Sequence, residues 1–448
     1  MPNEHAPFTV RDDALVAWKE NLLNLASVPV QYGYGCLDGM VNTLRTVGGD
    51  VFLSAVDAGA HFARHIYNSA RSVLYKSPAE TGTLEQAVRA GRSYDMDYPL
   101  SLETRAGPLG FKAYYGLYLK LMRENFAEGF VHGNYVRPFY AACDDRVDGT
   151  RSDFAINGRV YQKTFSMMMQ HWPGILSPRH PDFPGLNILV CRESRCPAPG
   201  TSLIGFKSSS TYAPTRGPAV EEKNRFNDRF GQILTAHDIL LYDHTMQAFR
   251  EASGSNLFVV SRDGTVYTPA LDGSIFPGLT RDFVVRLIGS DAGAALGLRL
   301  REDDLGEGWL PHLSRDGGEV FFTGSALGVI PARRLILPRT KDPRDITDYD
   351  IHEFSAGVGT FASVISDCYR CFSIGDAFEV SYGRGKKALV RDFEEASLLF
   401  EVPRHLRDQA SERFMKLDGT RPLDMPADQC LRSGRVAAVP PRNRRVAW

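Results

Sequence analysis

The sequence predicts an α+β protein of two domains with a C-terminal extension. Three observations lead there. Residues 251–282 read as a hairpin followed by a tight turn and a helix. Apolar strands and helical patterns follow one another on both sides of that stretch. A Pro-rich run, Pro178 to Pro184, interrupts the chain before its middle and marks a domain boundary.

The 448 residues suffice for two or three domains and a large core. The net charge of −1 gives no support for binding nucleic acid or an acidic membrane surface. No apolar run reaches the length of a membrane span. Residues 1–13 lack a basic region followed by an apolar core, so they do not read as a signal peptide. Seven scattered cysteines, an odd number, suit reduced thiols and a cytoplasmic setting.

In order, residues 1–30 read as a leader and first helix, Leu15 to Leu25. Residues 31–180 make a small α+β domain, with a short strand at Val51–Leu53 and helices at His61–Leu74 and Tyr114–Asn125. Apolar residues on alternate positions run toward Pro138, so Tyr135 and Arg137 share one strand face. Residues 144–185 read as an insertion or elaborated linker. Residues 186–376 make a large domain, opening on the strand Ile188–Cys191. Residues 377–448 form an extension with a helix at His405–Leu417 and a basic, Pro-rich end. Its role is open: cover for a dimer edge, or a flexible tail.

Within the central stretch, Glu251 precedes a small-residue turn. Leu257–Val260 and Val266–Tyr267 flank a turn at Arg262-Asp263-Gly264. Pro277-Gly278 then opens a helix over Phe283–Ile288. A helix opening at a glycine offers free N–H groups and a positive dipole end, which suits a phosphate.

This stretch resembles the branched-chain aminotransferases and their relatives, the fold-type IV pyridoxal 5'-phosphate (PLP) enzymes. The family pattern is E-G-x-x-x-N-[LI]-F, a hairpin, T-P-P-L, then [LI]-P-G-[IV]-T-R. Here stand Glu251, Asn256-Leu257-Phe258, Thr268-Pro269-Ala270-Leu271 and Phe276-Pro277-Gly278-Leu279-Thr280-Arg281. Further matches cover about residues 30–140 and 186–376. Gln31 to Met40 resembles H-Y-G-x-x-x-F-E-G, a helix start lining the substrate pocket, with Leu37 in place of Phe and Asp38 in place of Glu. His61 to Arg64 resembles H-x-x-R, Tyr135-Val136-Arg137-Pro138 matches Y-I-R-P, and Thr323 to Pro331 resembles S-G-T-A-x-x-[IV]-x-P with Ser325 for Thr. Phe354 to Asp376 resembles the last family helix.

The resemblance implies a two-domain fold with PLP between the domains, and a homodimer. It implies roles as well. Such enzymes need a lysine that forms a Schiff base and moves a proton. Lys207, with Tyr212 five residues on and small residues between, fits the family's K-x-G-G-N-Y. Lys223 is the rival, echoing the K-x-L-N of some lyases and D-amino-acid transaminases. Lys207 stands 44 residues before Glu251 and Lys223 stands 28 before it. Lys207 needs an insertion and Lys223 a deletion, and a surface insertion is the easier change. Lys207 is therefore the expected catalytic lysine. Glu251 pairs with the pyridine nitrogen, with Asn256 beside it. Arg64, Leu279, Thr280, Ser325 and Ala326 hold the phosphate, and Tyr212 bonds the ring hydroxyl. Tyr32, Leu37, Tyr135, Arg137, Ser325 and Ala326 line the substrate site.

The expected function is transfer of an amino group between an amino acid, branched-chain or other, and a 2-oxo acid. The alternative is a PLP-dependent lyase or cyclase on the same scaffold. Cys368 and Cys371 sit one helical turn apart and read as packed thiols, and with Cys191 and Cys196 their spacing makes no metal signature. No metal is expected.

Overall fold

The computed structural model describes residues 7–17, 35–47, 50–74, 76–104, 106–128, 135–143, 162–170, 185–192, 205–356 and 360–373, together with strands at 378–382, 386–390, 398–401, 434–438 and 445–446. The strands gather into two nine-stranded sheets and two small ones.

The first large sheet runs in the order Ala14–Ala17, Phe8–Arg11, Gln162–Gln170, Tyr135–Cys143, Met40–Val47, Asp50–Ala55, Leu398–Glu401 and Arg445–Val446. Gly35–Leu37 pairs with Tyr135–Cys143 off this path. Four expectations change here. Residues 8–17 form a hairpin, so the helix expected from Leu15 does not begin there. Asp12 takes a left-handed φ of 53° in the turn, and its carboxylate accepts the Phe165 N–H, which ties the turn to strand Gln162–Gln170. Gly35 to Met40 forms strand, turn and strand rather than a helix start, because its backbone is committed to the ladder. Gln162–Gln170 lies inside the span expected as a linker, yet pairs along all of Tyr135–Cys143. In the extension, Leu398–Glu401 adds antiparallel to Asp50–Ala55 and so joins this sheet. The helix expected at His405–Leu417 lies outside the described residues.

Three helices, Ala58–Ser72, Leu84–Arg92 and Phe111–Ala127, pack with the first sheet around one core. Phe62 lies 4.9 Å from the rings of both Tyr114 and Tyr118 at its centre. Ala58–Ser72 is buried on nearly every face, which its run of small residues allows. It crosses Leu84–Arg92 backbone to backbone. A Cβ on Gly59 would lie 2.0 Å from the Gly91 carbonyl oxygen, and one on Gly91 would lie 2.2 Å from that of Gly59.

The second large sheet runs Ala248–Ala252, Asp238–Asp243, Leu186–Cys191, Gly328–Pro338, Glu319–Gly324, Asn256–Val260, Thr265–Thr268 and Arg299–Glu302, with Tyr349–Glu353 on Gly328–Pro338. Leu186–Cys191 is parallel to both neighbours and buried at every residue, which explains the apolar run Ile188–Cys191 within it. Helix Leu279–Ile288 packs on one face through Phe283, Val284 and Leu287, beside helix Phe361–Ser373. Helix Ser209–Phe230 packs elsewhere on this sheet through Ala219, Phe226 and Phe230.

Cys36 forms an isolated backbone bridge with Ser208, and the Leu37 N–H donates to the Lys207 carbonyl at 2.9 Å. The strand carrying Leu37 thus touches the segment that precedes helix Ser209–Phe230.

The Gly59–Gly91 crossing sets the depth of the helix that bears His61 and Arg64. Gly91→Val should therefore destabilise by roughly 1–3 kcal/mol through overpacking. The urea midpoint is the measurement, and an unchanged midpoint would show that the helices can separate at no cost.

Candidate active site

Register builds one wall of the site. Glu251 pairs with Asn256, and Asn256 pairs with Thr323. Residues directly opposite one another share a sheet face, so these three polar side chains form one row. All three residues are buried. The turn before Asn256 brings the chain back one strand away, which is why an acid and an amide five residues apart become neighbours.

The turn Phe276-Pro277-Gly278 lies against that row. The Phe276 N–H donates to Glu251 Oε2 at 3.0 Å, and Asn256 Nδ2 donates to the Phe276 carbonyl at 2.8 Å. Gly278 has no room for a side chain, since a Cβ there would meet Asn256 Oδ1 at 2.3 Å. Helix Leu279–Ile288 opens at Gly278 with no side chain capping its first turn. An uncapped helix start with buried Leu279 and Thr280 is an anion-binding arrangement. Asp282, an acid in that turn, would repel an anion. Arg92 at 2.7 Å and Arg286 at 3.0 Å neutralise it.

Ala58–Ser72 supplies the facing side. His61 and Arg64 are three residues apart and therefore on one helix face. Both meet Asp38. Arg64 Nε donates to Asp38 Oδ2 at 2.8 Å and Nη2 to Oδ1 at 2.7 Å, while Nη1 reaches the Pro277 carbonyl at 3.3 Å. Arg64 is 1% exposed and Asp38 fully buried. Burial alone would raise the Asp38 carboxyl, but the Arg64 guanidinium overrides it and holds Asp38 well below the usual carboxylate range. Burial lowers His61, leaving it neutral at pH 7. The charge that keeps Asp38 ionised is therefore that of Arg64. His61 Nδ1 lies 2.9 Å from Asp38 Oδ1 and Nε2 lies 3.3 Å from Ser325 Oγ. With Nδ1–H donated to the carboxylate, Nε2 accepts from the Ser325 hydroxyl.

Lys207 enters from the bend before helix Ser209–Phe230. Its ammonium nitrogen lies 5.1 Å from the centre of the Phe276 ring, and the Arg64 guanidinium lies 4.9 Å from the same ring. Burial, aided by the positive charges of Arg64 and Arg137, lowers the Lys207 amine from its ordinary value, against the pull of Asp38. An amine that sheds its proton more readily is the better nucleophile. Tyr135 and Arg137 complete this side. Arg137 Nη2 donates to the Tyr135 hydroxyl at 2.9 Å, and the Tyr135 ring leaves Gly39 no space for a Cβ, its hydroxyl falling 2.2 Å away.

The structure thus gathers Lys207, Glu251, Asn256, Arg64, Leu279, Thr280 and Ser325 around the Phe276-Pro277-Gly278 turn. Ala326 lies with Ser325 in the turn between Glu319–Gly324 and Gly328–Pro338. Leu37 adjoins Lys207 through its backbone. Tyr212 lies in helix Ser209–Phe230, but its side chain is outside the described residues, as is all of Tyr32. Lys223 lies further along the same helix, beside Cys191 rather than in this group. Arg64 is placed differently from the expectation of a phosphate fork: two of its nitrogens are spent on Asp38, and Nη1 alone approaches the helix start. Sequence reasoning also missed Asp38 as a structural partner, His61, Phe276 and Arg216. The His61–Arg64 spacing was the one available signal. Arg216 had none. Cys368 is a buried thiol in helix Phe361–Ser373, and the Cys371 side chain is outside the described residues. Among the described residues no three His, Cys, Asp or Glu side chains form a metal cluster.

Residues 232–335, which hold the row, the turn and the uncapped helix, match the family model of amino-transferase class IV. Branched-chain-amino-acid aminotransferase 2, chloroplastic, of Arabidopsis thaliana is 31% identical over 147 residues, 33% of this chain and 33% of that protein. The probable branched-chain-amino-acid aminotransferase of Thermotoga maritima is 34% identical over 104 residues, 23% of this chain and 34% of that protein. The matched stretch is about a third of the length of these curated relatives. Among solved structures, the branched-chain aminotransferase of Thermoproteus uzoniensis with norvaline aligns at a TM-score of 0.54 and 18% identity, covering 83% of this chain and 95% of that one. The T.th. branched-chain amino acid aminotransferase complexed with N-(5'-phosphopyridoxyl)-L-glutamate aligns at 0.54 and 19%, with the same coverage. The fold is the fold-type IV aminotransferase fold, as the class IV motifs implied.

Removing the Asp38 charge should expose the dependence on it. Asp38→Asn leaves Arg64 buried without a counter-charge and should cost about 3–5 kcal/mol. The pH sign follows from the depressed carboxyl. Asp38's contribution is complete above the unfolded carboxylate value and is lost as pH falls through its low folded value. Denaturation midpoints measured from pH 7 downward should therefore converge for the wild type and Asp38→Asn. A constant gap into strong acid would contradict the assignment.

Proposed function

We propose that this protein is a PLP-dependent aminotransferase, moving an amino group between an amino acid and a 2-oxo acid through Lys207. The observation that carries this reading is the meeting of a depressed lysine, a buried carboxylate and an uncapped helix start around one turn. The donor set fits PLP. The N–H groups of Leu279 and Thr280 and the hydroxyls of Thr280 and Ser325 would hold its phosphate, with Arg64 Nη1 and Ala326 beside them. Glu251 would face the pyridine nitrogen. Two further hydroxyls, Ser255 Oγ and Thr323 Oγ1, are buried next to Asn256 with no hydrogen-bond partner among the described residues, which suits a polar occupant. The phosphopyridoxyl-glutamate complex of a structural neighbour supports the same choice. When bound, PLP supplies the electron sink that makes the substrate Cα proton acidic.

The chain's own residues then have distinct tasks. Lys207 Nζ would hold the cofactor and would move the proton at the substrate Cα. Tyr135 and Arg137 present a hydroxyl and a guanidinium to the substrate carboxylate, while Leu37 narrows the apolar side. Tyr32 and Tyr212 complete the substrate and ring contacts in this reading. Residues 31–180 act as the small domain and 186–376 as the large one, with the cofactor between them. The reading includes a homodimer in the cytoplasm, a compartment supported by the buried thiols of Cys36, Cys191 and Cys368.

Two measurements test it. Borohydride reduction followed by peptide mapping should find the cofactor on Lys207, and Lys207→Ala should lose covalent attachment while Lys223→Ala keeps it. Attachment at Lys223 would move the catalytic lysine. Nitrogen-15 from labelled glutamate or a branched-chain amino acid should appear in the amino acid made from an added 2-oxo acid. Release of labelled ammonia, or a cyclised product that keeps the label, would instead replace the transaminase with the lyase or the cyclase.

A further inference from the structure

Glu251 has a second cationic neighbour that the expected site did not include. Arg216, in helix Ser209–Phe230, is 7% exposed. Its Nη2 donates to Glu251 Oε1 at 2.8 Å, and its Nε donates to the Ser253 carbonyl. One guanidinium therefore grips both the carboxylate and the turn that carries it. The other oxygen, Oε2, accepts from the Phe276 N–H at 3.0 Å and faces Asn256 Nδ2 at 3.5 Å. A carboxylate has about four accepting directions. Oε1 has one beyond Arg216, and it is the one left for a ring N–H.

Sharing that oxygen has a consequence for charge. A carboxylate that already serves a guanidinium is a weaker base than one that serves the ring alone. Arg216 also repels a positive charge on the ring. We propose that Arg216 is a positioning residue which aims Glu251 Oε1 and sets how firmly Glu251 keeps a proton on the pyridine nitrogen. The proposal rests on the PLP reading above. Burial raises the Glu251 carboxyl, while Arg216, the Phe276 N–H and Lys207 oppose that rise. Arg216 and Lys207 are the charged groups that face it. With the cofactor attached Lys207 no longer carries a free ammonium, so Arg216 becomes the main opposing charge. Removing it should leave the ring nitrogen protonated to higher pH.

The experiment is nitrogen-15 NMR of the protein loaded with ring-labelled PLP, followed against pH, for the wild type and for Arg216→Lys, Arg216→Gln and Glu251→Gln. The Arg216→Gln resonance should lie closer to the pyridinium position than the wild type at the same pH, and its titration should move to higher pH. Arg216→Lys should stay near the wild type, because the charge is kept. Glu251→Gln should move the opposite way, toward neutral pyridine. A purely structural arginine would change melting temperature without moving the resonance. If Arg216→Gln fails to fold, the wild-type and Arg216→Lys curves decide: a wild-type nitrogen held as pyridinium to the alkaline limit of folding, or an Arg216→Lys curve displaced as far as that of Glu251→Gln, overturns the proposal. An unmoved Arg216→Gln resonance beside a displaced Glu251→Gln overturns the role of Arg216 alone. If neither variant moves it, Glu251 is not the ring partner and the reading beneath falls as well.

Discussion

The buried pair of Asp38 and Arg64 is the constraint from which the site follows. Asp38 lies in the turn between two strands of the first sheet, and Arg64 lies on a helix packed against that sheet. Arg64 then extends to the Pro277 carbonyl, in the turn that opens helix Leu279–Ile288. A fully buried charge cannot be left alone at any affordable energy, so each of the three pieces is obliged to stay in register with the others. His61 adds a second tether by joining Asp38 to Ser325. Arg92 makes a parallel link, from Asp57 at the base of the same helix to Asp282 in the first turn of the other. These contacts hold the helix start against the lysine with side chains whose charges are already satisfied.

The charges at the centre alternate. Burial draws the Lys207 amine down, Asp38 pulls it back up, and Arg64 and Arg137 side with burial. Glu251 is pushed up by burial and pulled back by Arg216. Neither group is left at the value it has in water. Each is set by its burial and by the charges packed around it. Phe276 joins the two groups. Its backbone serves Glu251 and Asn256, and its ring lies under both Lys207 and Arg64. One residue therefore ties the acid, the amine and the phosphate side to common coordinates.

What was legible in the sequence was local. Glu251, Asn256, Gly278 and Thr280 stand on one hairpin and the turn after it, so their chemistry shows in spacing. Lys207 was singled out through small residues and the Tyr212 interval, and the fold brings it over the Phe276 ring. The strand Leu186–Cys191 showed in the apolar run Ile188–Cys191, because both of its faces are covered. What failed was non-local. Phe8–Arg11 is seated in the sheet by pairing with Gln162–Gln170, which itself pairs with Tyr135–Cys143, and the first of these partnerships lies in no window of sequence. The bidentate turn of Arg64 toward Asp38, 26 positions earlier, depends on the chain between them folding back. Arg216 was invisible for a related reason: position 216 on a charged, Pro-containing helix looks like solvent surface until Glu251 is placed beside it.

The extension illustrates how an edge is managed. Met40–Val47 and Asp50–Ala55 form a hairpin whose outer strand would present open backbone groups. Leu398–Glu401 pairs along that outer strand, and Arg445–Val446 pairs beyond it. Open edges invite pairing with other chains, so closing this one with the protein's own C-terminal residues restricts where a second copy can attach. The remaining extension strands, Phe378–Tyr382, Lys386–Val390 and Gly434–Ala438, form a separate sheet against helix Asp291–Leu296 and helix Phe361–Ser373. Tyr369 of the latter helix meets Thr280 Oγ1 at 3.4 Å and stacks edge-on against Phe283. The extension therefore backs, through one helix, the first turn that would receive the phosphate. A segment with no counterpart among the motifs still bears on the site, because packing transmits position from the outer sheet to the helix start.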